Sequence, residues 1–128
     1  MENEELTGQI IGYAMKIHSV LGPGFLESVY QNALSHELRQ AGVKHECERS
    51  IAVVYDGITV GNFIADLFVD DCIIIENKAV QSLVVAHEVQ LVNYLSATGV
   101  EISLLLNFGA KRLEFKRKYR IYKKQQTE

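Results

Sequence analysis

Apolar positions along the chain follow two periodicities, and the changes between them mark its elements. Between residues 6 and 21, Ile10, Ala14, Ile17 and Leu21 recur at three- and four-residue intervals, which predicts an amphipathic helix. Gly22-Pro23-Gly24 stops it, because proline and glycine both interrupt helices. A second helix is expected from about Leu26 to Ala41, with Leu26, Tyr30, Ala33, Leu34, Glu37 and Leu38 on neighbouring faces and Gly42 as its C-terminal cap. The period then falls to two. Residues 44–55 alternate, and Asp56-Gly57 is a hairpin signal. Residues 58–69 and 73–80 predict two more strands, with Asp70-Asp71 at the turn between them. Helical spacing returns over 84–98, with Val85, Val89, Val92 and Leu95 as the expected apolar stripe, and Gly99 ends that helix. Residues 101–108 read as a buried strand and 112–122 as an exposed one.

The resulting order, α-α-β-β-β-α-β-β, implies an α/β (α+β) protein whose mixed sheet is flanked by helices. The crossover helix should set strand 101–108 parallel to its neighbour. No repeat or linker divides the 128 residues, so 1–128 reads as a single domain. With 48% apolar residues the chain lies outside the disordered class. Cys47 and Cys72 form no CxxC pair, which excludes a disulfide scaffold and a zinc ribbon. The acidic N-terminus has no signal core, and runs such as Ile73-Ile74-Ile75 are too short to span a bilayer. These features predict a cytoplasmic, reduced protein with no membrane partner.

Net charge is −3, but it is unevenly spread. Residues 1–110 hold 5 Lys/Arg and 14 Asp/Glu, whereas 111–128 hold 8 Lys/Arg and 2 Asp/Glu. This basic C-terminal strand and tail interleaves aromatic residues with cations, and Lys116, Lys118 and Arg120 are its candidate phosphate contacts. The same pattern equally describes an edge strand guarded by lysines against pairing with other chains.

Candidate chemistry centres on the second and third strands. Asp66 lies in Ile64-Ala65-Asp66-Leu67-Phe68, and Glu76-Asn77-Lys78 follows Ile73–Ile75. Glu76 and Lys78 share a strand face, and charges in an apolar strand need partners or a metal. Asp66 and Glu76 would supply hard oxygen ligands suited to Mg²⁺, and Lys78 could orient a water or stabilise charge growing on a phosphate. An isolated E-x-K, however, is common by chance and also describes a surface ion pair. Glu27 and Tyr30 share a helix face, as do Gln90 and Tyr94. Taken singly, Glu27 reads as a first-turn acid at a helix dipole, Gln90 as a solvated polar residue and Tyr94 as a core residue with its hydroxyl at the rim.

Together these residues form a pattern. The run His18-Ser-Val-Leu21-Gly22-Pro23-Gly24-Phe-Leu-Glu27-Ser-Val-Tyr30 resembles the signature of the GxxExxY protein family, which looks like a branch of the PD-(D/E)xK nuclease superfamily. The likeness continues through Ala65-Asp66, Glu76-x-Lys78, Gln90-x-x-x-Tyr94 and Leu105-Leu106-Asn107-Phe108-Gly109, from about residue 6 to 120. The D…ExK and QxxxY arrangement is also similar to RecB-like nucleases. The resemblance implies a restriction-endonuclease-like core and an Mg²⁺- or Mn²⁺-dependent nuclease hydrolysing phosphodiester bonds in DNA or RNA. It assigns Asp66 and Glu76 to metal binding and Lys78 to catalysis. It adds Glu27 as a further acid near the metal, and Gln90 and Tyr94 as active-site or substrate-contacting groups. A homodimer that addresses two strands would fit such a nuclease. Two positions depart from the superfamily pattern: Ala65 precedes the aspartate where proline is nominal, and Asn77 fills the middle of E-x-K where an apolar residue is usual. The competing functions are a non-catalytic module binding nucleic acid or protein on the same fold, and an assembly role in which the motifs only pack.

Strand parity sharpens the expectation. A two-residue loop at Asp70-Asp71 would set Asp66 opposite Ile75 and place Asp66 on the other face from Glu76. A shared site requires a three-residue turn, such as 70–72, or a bulge. Asp66, Glu76 and Lys78 should then share one face, with Ile73, Ile75 and Asn77 on the other.

Overall fold

A computed structural model describes residues 3–121. The elements are α1 (Asn3–Leu21), α2 (Glu27–Gln40), β1 (His45–Tyr55), β2 (Ile58–Val69), β3 (Ile73–Lys78), α3 (Val85–Thr98), β4 (Ile102–Asn107) and β5 (Glu114–Tyr119). The predicted order holds throughout. The strands form one sheet in the order β1-β2-β3-β4-β5, and β3–β4 is its parallel pair, as the crossover through α3 requires.

Local chemistry accounts for the joints. The α2 helix closes with Gly42 at a φ of 70° while the Val43 N–H reaches back to the Leu38 carbonyl, a Schellman closure that glycine makes without steric cost. The β1–β2 hairpin turns through Asp56 and Gly57, both with positive φ, which matches the right-handed twist of the flanking strands. Between β2 and β3 the turn is three residues long. Val69 pairs with Ile73, and the loop 70–72 carries Asp70 and Asp71 in the left-handed region.

Two apolar layers cover the sheet. On one face α1 and α2 pack Ile10, Ala14, Ile17, Tyr30, Leu34 and Leu38 against Leu67, Val69, Ile73, Ile75, Leu104 and Leu106. On the other face α3 packs Leu91 and Leu95 against Ala65, Ile74 and Leu105. β3 and β4, at the sheet centre, are therefore apolar on both faces, as strands covered on both sides must be.

The expected stripe of α3 is corrected in part. Leu95 is buried, but Val85 and Val89 are 73% and 52% exposed, and Leu91 takes their place against the sheet. Apolar residues recur on two sides of this helix, so periodicity alone does not choose between them. The choice is made by the sheet, where Ile74 and Leu105 leave room for Leu91 and Leu95. β5 is shorter than expected, and the part of the exposed strand and basic tail beyond residue 121 lies outside the described residues.

Candidate functional site

The site begins where β2 and β3 stop pairing. Their backbone ladder runs Val69–Ile73, Phe68–Ile74 and Leu67–Ile75. One step further the register sets Asp66 opposite Glu76, and side chains take over from the backbone there. An Asp66 carboxylate oxygen accepts the Asn77 N–H at 2.7 Å, and a Glu76 oxygen accepts the Asp66 N–H at 3.3 Å. Facing also changes at Asp66. Phe63 and Ala65 pack into the α3 layer, whereas Leu67 and Val69, at the same parity, pack under α1 and α2. Across the hairpin, Glu48 on β1 holds a φ of 54° at the matching step. The three-residue turn thus sets the two carboxylates across from each other, as the parity argument demanded.

β3 distributes its residues as predicted. Ile73 and Ile75 lie in the α1/α2 layer, Ile74 lies in the α3 layer, and Glu76 and Lys78 follow Ile74. They open on a cleft of about 220 Å³ between the sheet and α3. Gln90, Leu91 and Tyr94 of α3 line its far wall, and Phe63 stacks on Tyr94 with ring centroids 4.3 Å apart. Asn77 is buried on the strand's other side, where its amide finds no hydrogen-bond partner among the described residues.

Several interactions fix the end of β3. The Lys78 carbonyl accepts the Phe108 N–H at 2.9 Å. The Asn107 amide clasps Val80 through both its N–H and its C=O, and also donates to Glu114 at 2.7 Å. Glu114 in turn accepts the Leu83 N–H, so the segment leading to α3 is tied to β4 and β5. A Cβ at Gly109 would collide with the backbone of Ala79 and Val80, so only glycine permits this approach. Phe108 stacks on Tyr30 at 4.6 Å, and the Tyr30 hydroxyl bonds the Gly22 carbonyl at 2.6 Å and the Phe25 N–H. His18 ties the end of α1 to the Ala110 carbonyl at 2.9 Å. The residues quoted from 18–30 and 105–109 accordingly brace one another beneath the site.

Burial, first, and then the neighbouring Asp66 push the Glu76 carboxyl up to about 8. Burial also raises Asp66, against the Asn77 N–H and the Lys78 ammonium, which favour its charged form. Two carboxylates in contact cannot both ionise cheaply, so without a cation the pair retains a proton near neutrality.

Not every candidate residue joins this cluster. Glu76, Lys78, Gln90 and Tyr94 line the cleft, and Asp66 joins them through Glu76 and the Asn77 N–H. Glu27 is exposed in the first turn of α2, a helix that packs on the other face of the sheet, and it makes no described contact with the carboxylate pair. Among the described residues no three His, Cys, Asp or Glu side chains gather into a metal-holding group. Asp66 and Glu76 thus meet as a pair, with Glu27 apart from them in this structure. On β5, Lys116, Lys118 and Arg120 project toward the cleft face, since Lys116 pairs with Leu105, which pairs with Glu76. Lys118 is engaged by Glu88 at 3.0 Å and Arg120 by Glu101 at 3.2 Å, while Lys116 is exposed. One titratable lining residue was missed in the sequence. His87 stands three positions before Gln90 and seven before Tyr94, and that helical spacing was the available signal.

The family model of the PD-(D/E)XK nuclease superfamily matches residues 4–118. The chain belongs to the PD-(D/E)XK nuclease superfamily. Its mixed five-stranded sheet and three helices agree with the restriction-endonuclease-like fold of that superfamily. The residues read as D…E-x-K in the sequence, Asp66 and Glu76-Asn77-Lys78, lie within the matched span. Among solved structures the chain is similar to the crystal structure of SSO0001, with a TM-score of 0.59 and 19% identity. That likeness covers 75% of this chain and 50% of the other, so the PD-(D/E)XK chain spans about half the length of its solved neighbour. No curated protein matches it.

Proposed function

We propose that this chain is a divalent-metal-dependent nuclease that hydrolyses phosphodiester bonds in nucleic acid. The observation that carries the reading is the meeting of Asp66 and Glu76 from opposed strands, with Glu76 and Lys78 opening together on one cleft. The donor set fits Mg²⁺ or Mn²⁺. Such ions take one or two carboxylates and complete their shell with waters and substrate phosphate oxygens, so a third protein ligand is not needed. It does not fit a structural zinc site, which calls for four nitrogen or sulfur donors. When bound, the cation supplies charge neutralisation at the phosphate and a more acidic water.

The chain's own residues do the remainder. Asp66 and Glu76 hold the ion and are in turn held by backbone N–H groups. Lys78 faces the phosphate and offsets charge developing on its oxygens. Gln90 and Tyr94 contact the strand from α3. Lys116, with Lys118 and Arg120 once released from their acidic partners, extends an electrostatic path for the backbone. DNA and RNA are both admissible substrates. The protein is taken to act in the cytoplasm, and a homodimer would bring two clefts to two strands. Among the described residues no helix is long and apolar enough to cross a membrane.

The test is cleavage of labelled single- and double-stranded DNA and RNA with Mg²⁺ or Mn²⁺. Activity should vanish with chelator and in Glu76→Ala and Lys78→Ala. Salt-sensitive binding that survives both substitutions, without metal-dependent cleavage by the wild type, would instead assign a non-catalytic binding module.

A further inference from the structure

We propose that His87 contacts the substrate in this same cleft, its neutral ring donating an Nε2–H hydrogen bond to a phosphate oxygen of the bound strand. The inference rests on the nuclease reading for its substrate and on local geometry for its chemistry. His87 lines the cleft with Glu76, Lys78, Gln90 and Tyr94. It shares one side of α3 with Gln90 and Tyr94, next to the buried Leu91 that seats the helix on the sheet.

A backbone contact selects the ring's tautomer. Its Nδ1 accepts the Val84 N–H at 3.3 Å, in the first turn of α3. An acceptor at Nδ1 cannot carry a proton there, so the neutral ring carries its proton on Nε2. The helix start is itself held, because the Leu83 N–H donates to Glu114. The result is a positioned donor facing a cleft that already contains the Lys78 ammonium and the Glu76 carboxyl. A neutral donor suits this place. It can bond a phosphate oxygen without adding a further positive charge to Lys78 and the cation that the two carboxylates would hold.

The experiment uses the full chain with ¹⁵N-labelled histidine, with His87 assigned through His87→Gln. The free protein should give His87 the pattern of an Nε2–H tautomer. A short oligodeoxynucleotide with Ca²⁺, used to slow turnover, should move the Nε2 resonance while Nδ1 stays bonded. In parallel, His87→Ala should lower kcat/KM by about tenfold to a hundredfold, the worth of one hydrogen bond to a charged group. His87→Gln, with a donor near the Nε2 position, should recover part of that loss. An Nδ1–H tautomer, an Nε2 signal indifferent to the oligonucleotide, or variants as active as a cleaving wild type would each overturn the proposal and leave the nuclease reading intact. A protein that shifts the Nε2 signal on binding but never cleaves would uphold the contact and remove the nuclease reading. No binding and no cleavage would overturn both.

Discussion

Glu76→Gln should stabilise the metal-free protein at alkaline pH and abolish its response to metal. In the folded chain Glu76 titrates at about 8, against an ordinary value of 4.5, because it is buried beside Asp66. A carboxyl raised in the folded state binds its proton more tightly there than in the unfolded chain. Its contribution is fully present below about pH 4.5 and is lost as pH rises toward 8. At 1.36 kcal/mol for each pH unit, that window corresponds to at most about 5 kcal/mol. The carboxyl opens on a solvent-filled cleft and shares its proton with Asp66, so a loss of about 2–3 kcal/mol is expected.

Glutamine keeps an oxygen to accept the Asp66 N–H and cannot ionise. Urea unfolding in chelator, from pH 5 to 8.5, should therefore show wild type and variant close together at pH 5. The variant should be about 2–3 kcal/mol more stable at pH 8.5. Millimolar Mg²⁺ or Mn²⁺ should restore much of the wild-type loss at pH 8.5 by binding the ionised pair, and should leave the variant nearly unchanged. Parallel stability profiles for the two proteins would refute the claim that Glu76 is strained by burial against Asp66.

Other substitutions test the supports of the site. Gly109→Ala forces a Cβ into the Ala79–Val80 backbone and should cost about 2–3 kcal/mol in urea unfolding. Tyr30→Phe removes the hydroxyl bonded to Gly22 and should cost about 1–2 kcal/mol while leaving the metal response at Glu76 unchanged. Lys116→Ala should weaken oligonucleotide binding for every sequence alike and reduce the salt slope by about one, read by fluorescence anisotropy. Lys118→Ala also breaks the ion pair with Glu88, so its effect on that slope should be smaller, with a stability cost of no more than about 1 kcal/mol.

Element order was legible because each change of period coincided with a strong local stop. Asp56-Gly57, Gly42 and Gly99 all adopt the positive φ that their positions suggested. Parity was legible too, since a shared site on β2 and β3 required an odd turn and the loop 70–72 provides it. Layer assignment was harder. Glu27 has the spacing to share a face with Tyr30, but spacing does not say which layer a helix joins. Tyr30 is drawn into the α1/α2 core by Phe108, and that leaves Glu27 exposed in the first turn. The stripe of α3 failed for a related reason, because two apolar sides compete and only the sheet decides between them. His87 escaped notice since a lone histidine near a helix start carries no signal until Gln90 and Tyr94 define the side it shares.

The charge asymmetry of the sequence changes meaning once the chain is folded. A tail-heavy excess of cations suggested a basic stripe, yet β5 returns beside β4 and sets its cations against acids from the earlier, acidic part of the chain. Lys118 meets Glu88 on α3, Arg120 meets Glu101 before β4, and Arg117, on the opposite face, bonds the Thr7 hydroxyl of α1. Three of the eight cations of 111–128 are thus engaged within the fold, where Lys118 and Arg117 tie α3 and α1 to the edge of the sheet. At the site itself Lys78 is the cation beside Asp66 and Glu76, with exposed Lys116 two strands away from Glu76, about 10 Å at ordinary strand spacing. On the proposed nuclease reading, phosphate attraction at the cleft would therefore depend less on a basic surface than on what neutralises the carboxylate pair. Without a cation the pair keeps a proton; on the proposed nuclease reading, a bound cation would make it the place where a phosphate is held.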